Sequence, residues 1–160
     1  MYEYRAKVIK VIDGDTADVD IDLGFDIVLK NQRIRFMGVD TPESRTSDKE
    51  EKVYGLLAKD FVQSHLVKGD YVTLQTFKDD RGKFGRVLGD FKVYDTNNDR
   101  WTTLCRLLIE NNLGVAYHGQ SKDDIKEEHL RNRQILSEKV NLRVKIEKVN
   151  LKVKSPWLTE

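Results

Sequence analysis

The chain has 160 residues, of which 39% are hydrophobic and 34% are charged, with 28 basic residues against 27 acidic ones. This length and apolar content are typical of one globular domain and exclude a disordered chain. A protein that binds nucleic acid only through contacts spread over its phosphates carries a large excess of basic residues. The net charge of +1 excludes this class of protein, so a nucleic-acid ligand would need a local binding site.

The first half of the chain has the pattern of β-structure. Residues 17–23 alternate apolar side chains with aspartates, which predicts a half-buried strand. The segment Tyr4–Ile12 is predicted to pair with it, because Asp13-Gly14 between them favours a hairpin turn. A switch of apolar face at Val8-Ile9 indicates a bulge. A further segment, Phe25–Lys30, is expected to extend this hairpin.

Helices alternate with strands in the remainder. In the next strand, Ile34 and Phe36 face one way while Arg33 and Arg35 face the other. Five short strands with helices between and after them predict an α+β, mainly β, fold: a five-stranded OB-type Greek-key β-barrel with three α-helices. The later elements are expected to be a helix capped by Ser47 with Glu50 and ended by Gly69, strands at Tyr71–Phe77 and Arg86–Tyr94, a helix near Thr102–Asn112, and a helix from Ser121 to about Lys139.

The end of the chain, residues 140–160, is predicted to be an extension packed on a domain of residues 1–139. Within it, residues 140–145 are nearly repeated at 149–154. Strict alternation favours a strand pair that turns at Glu147-Lys148, and a continuing helix stays open as the alternative. The extension is locally basic, but an accessory hairpin covering the barrel is favoured over a nucleic-acid arm.

Composition also bears on redox state and location. The single cysteine, Cys105, excludes an intrachain disulfide, and its place in the apolar run Leu104–Ile109 predicts a buried thiol. No apolar stretch is long enough to span a membrane, so no membrane partner is expected. Residues 1–5 lack the apolar core of a secretory signal peptide, which predicts a cytoplasmic protein for the sequence as given and leaves open secretion after removal of a signal.

The most informative segment runs from Arg35 to Glu43. Pro42 fixes its own backbone and favours an extended conformation at Thr41. The Asp40 and Glu43 side chains and the Thr41 carbonyl can then project from one loop. Oxygen ligands of this kind suit a hard cation such as Ca²⁺ rather than zinc. The same run also occurs as an ordinary turn before a helix, and on this segment alone both interpretations stay open.

Two other segments indicate a function only in combination with this loop. Asp13–Thr16 is by itself a plain turn between strands, and Gly82–Arg86 is by itself a basic turn. Together the three segments offer carboxylates for a cation, one further carboxylate to activate water and two arginines for a phosphate. Phosphodiester hydrolysis needs these parts, because charge must be neutralised, water deprotonated and the leaving oxygen assisted.

Three motifs, in their order and spacing, resemble those of the staphylococcal nuclease (thermonuclease) family. They are Asp13–Thr16, Arg35–Glu43 and Lys83–Arg86, and the similarity extends over roughly residues 8–139. The resemblance implies an OB-type barrel with metal-dependent phosphodiesterase activity. Further similar segments are Val53–Gly55, Val115–Tyr117 and Glu128–Arg131.

The resemblance also implies which residues bind the metal and activate water. Asp15 and Asp40 would ligate Ca²⁺ together with the Thr41 carbonyl. Glu43 would act as the general base or orient the attacking water. Asp13 would lie just outside the ligand set.

Residues that bind the substrate are implied as well. Arg35 and Arg86 would hold the phosphate and stabilise the transition state, since guanidinium forks suit phosphate oxygens better than lysine does. Arg86 would also assist departure of the 5′-oxygen. Lys83 and Tyr117 match positions that contact a terminal phosphate. Phe84, where the family often has tyrosine, can stack on a base but cannot donate a hydrogen bond.

The whole sequence predicts a monomeric Ca²⁺-dependent endonuclease that hydrolyses the 5′-O–P bond of DNA and RNA and prefers single strands. The alternative is a catalytically weak barrel module that binds single-stranded nucleic acid; the complete set of arginines and carboxylates favours the enzyme. The three histidines have no metal-ligand spacing. We expect His65 near a helix end, His118 in a solvated loop and His129 as a structural residue of the third helix.

Overall fold

The computed structural model describes residues 1–81 and 86–153 of the chain. Within these ranges it contains eight β-strands and three α-helices. In chain order the elements are β1 (Tyr2–Asp13), β2 (Thr16–Asp22), β3 (Val28–Phe36), β4 (Val39–Asp40), α1 (Lys49–His65), β5 (Tyr71–Arg81), β6 (Val87–Asp95), β7 (Arg100–Thr103), α2 (Leu104–Glu110), β8 (Val115–Ala116) and α3 (Lys122–Val153).

Five of the strands form a closed barrel. They are hydrogen-bonded antiparallel in the order β3-β2-β1-β5-β6, and a parallel pairing of β3 with β6 closes the ring. β7 pairs with the second half of β6, beyond the residues that contact β3, while β4 and β8 form a small separate sheet. The predicted fold class, a mainly β five-stranded barrel with three helices, is confirmed.

Alternation along β3 separates the core from the surface. Ile34 and Phe36, predicted to face together, are both buried, and the Phe36 ring packs edge-on against Phe91 with centroids 5.4 Å apart. Because successive residues of a strand face opposite sides, Arg35 between them points away from this core. Two buried neighbours therefore anchor a charged side chain at the barrel surface.

The β1–β2 hairpin forms as predicted, and its apolar residues are buried as far as Ile21, but Asp20, expected on the outer face, is buried as well. The hairpin and the bulge after Val8 are confirmed, but the two turn residues are Gly14 and Asp15, one position later than the predicted Asp13-Gly14, because Asp13 still pairs with Thr16. Leu23, expected to continue the buried alternation, is 39% exposed. The reason is that β2 ends at Asp22 and the chain turns away through Gly24, whose φ is +78°.

α1 begins one residue later than predicted. Its N-cap is Asp48, whose side chain accepts hydrogen bonds from the backbone N–H groups of Glu50 and Glu51, so the proposed cap at Ser47 is wrong. A carboxylate in this position satisfies two free donors and also lies at the positive end of the helix dipole. The helix ends at His65, close to the predicted terminus.

α2 and α3 differ from expectation at their boundaries. Arg100–Thr103 forms β7 instead of opening the second helix, and Thr103 caps α2. α3 continues to Val153, so the favoured strand pair at residues 140–154 is wrong and the helical alternative is right. The helix contains no glycine or proline, and Glu147-Lys148, the proposed turn, are both strong helix formers. No helix in the described part of the chain is both long and apolar enough to cross a membrane.

A buried carboxylate lies beneath α2. Asp90 Oδ1 accepts hydrogen bonds from the N–H groups of Phe91 (2.8 Å) and Cys105 (3.1 Å). Burial raises the pKa of Asp90, and burial together with the nearby Asp90 carboxylate raises the pKa of the Cys105 thiol. Cys105 is buried, as predicted, and its raised pKa makes it a poor nucleophile.

Candidate active site

Arg35 is held rigidly at the end of β3. Its Nη1 donates hydrogen bonds to the carbonyls of Phe36 (2.8 Å) and Val39 (2.9 Å), the last residue of β3 and the first of β4. Only 15% of its side chain is exposed. Since two backbone carbonyls fix one edge of the guanidinium, the other edge has a defined direction.

Two carboxylates share that other edge. Arg35 Nη2 lies 3.5 Å from Asp15 Oδ2 and 3.5 Å from Asp40 Oδ1. Asp15 also accepts hydrogen bonds from the Thr41 N–H (3.3 Å) and the Thr16 hydroxyl (3.0 Å). Burial raises the pKa of Asp15, an effect that the Arg35 charge and the Thr41 N–H oppose. Arg35 thus brings together a residue of the β1–β2 turn and a residue of β4.

The loop after β4 lies against two glycines. A Cβ added to Gly14 would lie 2.8 Å from Thr41 Oγ1, and one added to Gly55 of α1 would lie 2.6 Å from the Ser44 nitrogen and overlap the Glu43 carbonyl. Only glycine permits so close an approach at these positions. Thr41 is 2% exposed, and its hydroxyl has no hydrogen-bond partner among the described residues.

Glu43 is the third residue of this loop and lies among other acidic groups. Its N–H lies 3.4 Å from Glu51 Oε1, which accepts a hydrogen bond from it. Although the residue as a whole is exposed, desolvation of its carboxyl group raises its pKa, and the charges of Asp13, Asp15 and Asp40 act in the same direction. A carboxylate with a raised pKa is a stronger base than an ordinary one.

A cleft of about 910 Å³ collects most of the residues predicted to form the site. Asp15 lies beneath it, reached through its ion pair with Arg35. Tyr117 is brought to the rim because its N–H donates to the Gly38 carbonyl (2.9 Å) next to the β4–β8 pair. Lys83 and Phe84 fall outside the described residues. The predicted residues that line the cleft are Arg35, Asp40, Thr41, Glu43, Arg86 and Tyr117.

The geometry bears on the predicted metal. In the part of the chain that the structure describes, no group of three or more His, Cys, Asp or Glu side chains is arranged to hold a metal ion. The predicted set is smaller, with two carboxylates and one backbone carbonyl. These are hard oxygen donors, which Ca²⁺ accepts together with water. The calcium site therefore stays a prediction.

His129 is a residue that the sequence analysis kept apart from this site. Its Nε2 lies 2.8 Å from Asp40 Oδ2, and its side chain is 14% exposed. Asp40 thus has Arg35 on one oxygen and His129 on the other. A sequence clue existed, since Ile125 is apolar and His129, four residues later, lies on the same face of the predicted helix. Nothing local indicated the partner, which is 89 positions away.

Comparison with known proteins agrees with this arrangement. Residues 33–142 match the family model described as staphylococcal nuclease homologue. The chain is 41% identical over 86 residues to a thermonuclease of Staphylococcus hyicus, covering 54% of this chain and 47% of that protein. It is 38% identical over 79 residues to a thermonuclease of Staphylococcus intermedius, covering 49% of this chain and 43% of that protein.

A more distant relative is endonuclease YhcR of Bacillus subtilis (strain 168), with 32% identity over 92 residues, 54% of this chain and 7% of that protein. The chain therefore spans less than half the length of each of these relatives. Asp15 precedes the residues matched by the family model, so its place in the site rests on the contacts with Arg35 and Thr41. Because the match covers more than half of the chain, this protein belongs to the staphylococcal nuclease homologue family.

Proposed function

We propose that the protein is a Ca²⁺-dependent endonuclease that hydrolyses the 5′-O–P bond of DNA and RNA, with single strands preferred. The observation that carries the proposal is the Arg35 guanidinium, 3.5 Å from each of two carboxylates, in a cleft that also contains Glu43 and Arg86. The names of the relatives, thermonuclease and endonuclease, support the same reaction class.

The donor set at this position fits a hard cation. Asp15 is a buried carboxylate that shares the Arg35 guanidinium with Asp40, with 3.5 Å to each. The Thr41 carbonyl would be the third donor. The Thr41 hydroxyl is also buried and has no hydrogen-bond partner among the described residues. When bound, Ca²⁺ would neutralise charge on the phosphate and orient water.

The protein's own residues would carry out the remaining steps. Glu43 removes a proton from water, whose oxygen attacks phosphorus as the bond to the 5′-oxygen breaks. Arg35 and Arg86 donate hydrogen bonds to the phosphate oxygens, where charge accumulates in the transition state. Arg86 also stabilises the departing 5′-oxygen. Tyr117 at the rim is available to a terminal phosphate.

Circular single-stranded DNA tests the proposal, because a circle has no ends and only an endonuclease opens it. We expect cleavage with Ca²⁺ and none with excess chelator. Glu43→Gln and Arg86→Gly should each lower turnover by about 10²–10³-fold with the fold retained, as for other preorganised charged groups. Asp123→Asn is a matched control, since Asp123 lines the same cleft but has no assigned role.

Three results would contradict the proposal. Cleavage that is insensitive to chelator would refute the metal requirement. Near-normal turnover of Glu43→Gln would refute its role as base. Binding of single-stranded DNA that survives chelation and gives no product would instead support the alternative, a nucleic-acid-binding module without significant catalysis.

A further inference from the structure

A second cleft, of about 720 Å³, is lined by residues of β1, β5, β6, β7 and the end of α1, and within the described part of the chain it shares no lining residue with the candidate active site. Of the four tyrosine and tryptophan side chains among the described residues that line it, Tyr4 is partly buried against the core. The other three, Tyr71, Tyr94 and Trp101, are exposed, and we call them the aromatic platform. They are 52%, 39% and 72% exposed, respectively. Clustered exposed aromatic residues are typical of a surface that binds a ligand.

Strand register explains why these rings meet. Tyr94 of β6 pairs directly with Trp101 of β7, so both side chains lie on one face of the sheet. Their ring centroids are 5.4 Å apart with an interplanar angle of 67°, an edge-to-face contact. This contact orients Trp101 but leaves most of its ring surface open. Tyr71 lies on β5, the strand on the other side of β6.

Positive charge lies beside the rings. Arg5 of β1 and Lys92 of β6 both pair with Thr73 of β5, so the two cations flank one position of the sheet. The Arg5 guanidinium lies 3.8 Å from the centroid of the Tyr71 ring. Lys92 Nζ lies 3.1 Å from the Glu3 carboxylate, with both side chains nearly half exposed. Stacking rings and exposed cations therefore occupy neighbouring positions of one surface.

We propose that the aromatic platform is a second nucleic-acid contact, which holds a single-stranded segment of the polynucleotide bound in the candidate active site. Bases would stack on Trp101 and Tyr94, and phosphates would pair with Arg5 and Lys92, as in sequence-independent single-strand binding. A duplex keeps its bases inside the helix, and an apolar protein partner would have to desolvate the Arg5 charge and the Lys92–Glu3 ion pair. The choice of nucleic acid as ligand rests on the proposed function.

The spacing of the clefts determines what length of strand can use both. Leu88 lines the candidate active site and Tyr94 lines the second cleft, and both belong to β6. Six residues of extended strand span roughly 20 Å. A substrate of two nucleotides can thus occupy one cleft only, whereas a longer strand can reach both and gains from the high effective concentration of its second segment.

Tryptophan fluorescence tests the contact directly, because the chain has two tryptophans and the other one, Trp157, lies outside the described residues. In Trp157→Phe protein with chelator present, titration with an oligothymidylate of about 15 nucleotides should quench Trp101 fluorescence to saturation. By anisotropy of a labelled oligonucleotide, Trp101→Ala should bind about tenfold more weakly, the usual effect of losing one base-stacking ring.

Two variants serve as controls on the mechanism. Phe25→Ala removes another aromatic ring, 97% exposed and outside both clefts, and should leave affinity unchanged. Glu3→Gln removes the carboxylate that competes for Lys92 and should tighten binding, whereas a purely structural role for the pair predicts no gain. In Ca²⁺, Trp101→Ala should lower kcat/KM for the long strand but not for a dinucleotide substrate.

The proposal is wrong if Trp101 fluorescence does not respond, or if Phe25→Ala weakens binding as much as Trp101→Ala. It is also wrong if sedimentation shows a dimer that Trp101→Ala dissociates, since the platform would then bind a second copy of the chain. Its failure is separable from that of the proposed function. Trp101-dependent binding without chelator-sensitive cleavage would support the aromatic platform and refute the proposed nuclease activity. Chelator-sensitive cleavage without a fluorescence response would support the nuclease activity and refute the aromatic platform.

Discussion

The loop after β4, which contains Glu43 and is called the Glu43 loop below, lies close to α1. This close approach makes Gly55→Ala a sharp test of how the candidate active site is positioned. An added Cβ would lie 2.6 Å from the Ser44 nitrogen and overlap the Glu43 carbonyl. Ordinary contact needs about 3.5 Å, so the loop must retreat by roughly 1 Å. A displacement of about 1 Å in a catalytic group costs on the order of 10²-fold in rate. We therefore expect kcat/KM for single-stranded DNA to fall about a hundredfold.

The effect on stability should be much smaller than the effect on rate. Replacing glycine by alanine inside a helix contributes about 1 kcal/mol, whereas overpacking a tight contact costs about 1–3 kcal/mol. The free energy of unfolding of Gly55→Ala should thus fall by about 2 kcal/mol at most. Urea denaturation measures this value, and turnover is measured where both proteins are fully folded.

Gly69→Ala is the matched control. Gly69 has φ +91° and no atom within 4 Å of an added Cβ, so alanine there strains the backbone without touching the Glu43 loop. It should lose a similar amount of stability and keep its activity. The reasoning fails if Gly55→Ala turns over like the wild type, or if Gly69→Ala loses as much activity as Gly55→Ala.

Three further predictions concern the metal site and the buried carboxylate. His129→Gln should weaken Ca²⁺ binding about 10–100-fold by calorimetry, because His129 orients Asp40; unchanged affinity would contradict this. Ca²⁺ at about 100 times its Kd should raise the free energy of unfolding by about 2.7 kcal/mol, and Asp15→Asn should abolish that gain. Burial raises the folded-state pKa of Asp90, so its contribution to stability is complete below the unfolded pKa of about 3.9 and is lost as pH rises through the folded pKa. Asp90→Asn should therefore gain stability relative to wild type from pH 4 upwards in urea titrations, and a constant difference would refute the assignment.

Features that depend on neighbouring residues could be predicted from the sequence. The hairpin turn that follows Asp13 and the alternation that buries Ile34 and Phe36 on either side of Arg35 follow from local conformational preference and period. These features placed the Arg35–Glu43 segment at a strand end, which is why most of its predicted residues line one cleft.

Features that depend on distant residues could not be predicted from these patterns. The contact of His129 with Asp40 joins positions 89 residues apart, and no local rule selects that pair. The prediction for the end of α3 was wrong for another reason. Its alternation of apolar and polar residues fits a strand, but without glycine or proline the helix already begun at Lys122 continues through it. Extending a helix that has already formed is more favourable than starting a new strand pair, so the strand-like alternation of the sequence did not decide the structure.

The parallel closure of β3 on β6 has a consequence for the order in which the protein matures. Ile34, Arg35 and Phe36 meet their partners only when Val87–Gly89 has been synthesised, and Asp40 meets His129 later still. Pairings between such distant segments form slowly, because the entropy cost of closing a long loop comes before any stabilising contact has formed. During synthesis, Arg35 and the carboxylates around it therefore precede the rest of the cleft. A nascent chain that ends before α3 has no His129 beside Asp40, so the contacts around Asp40 are complete only with the last helix and not with the barrel.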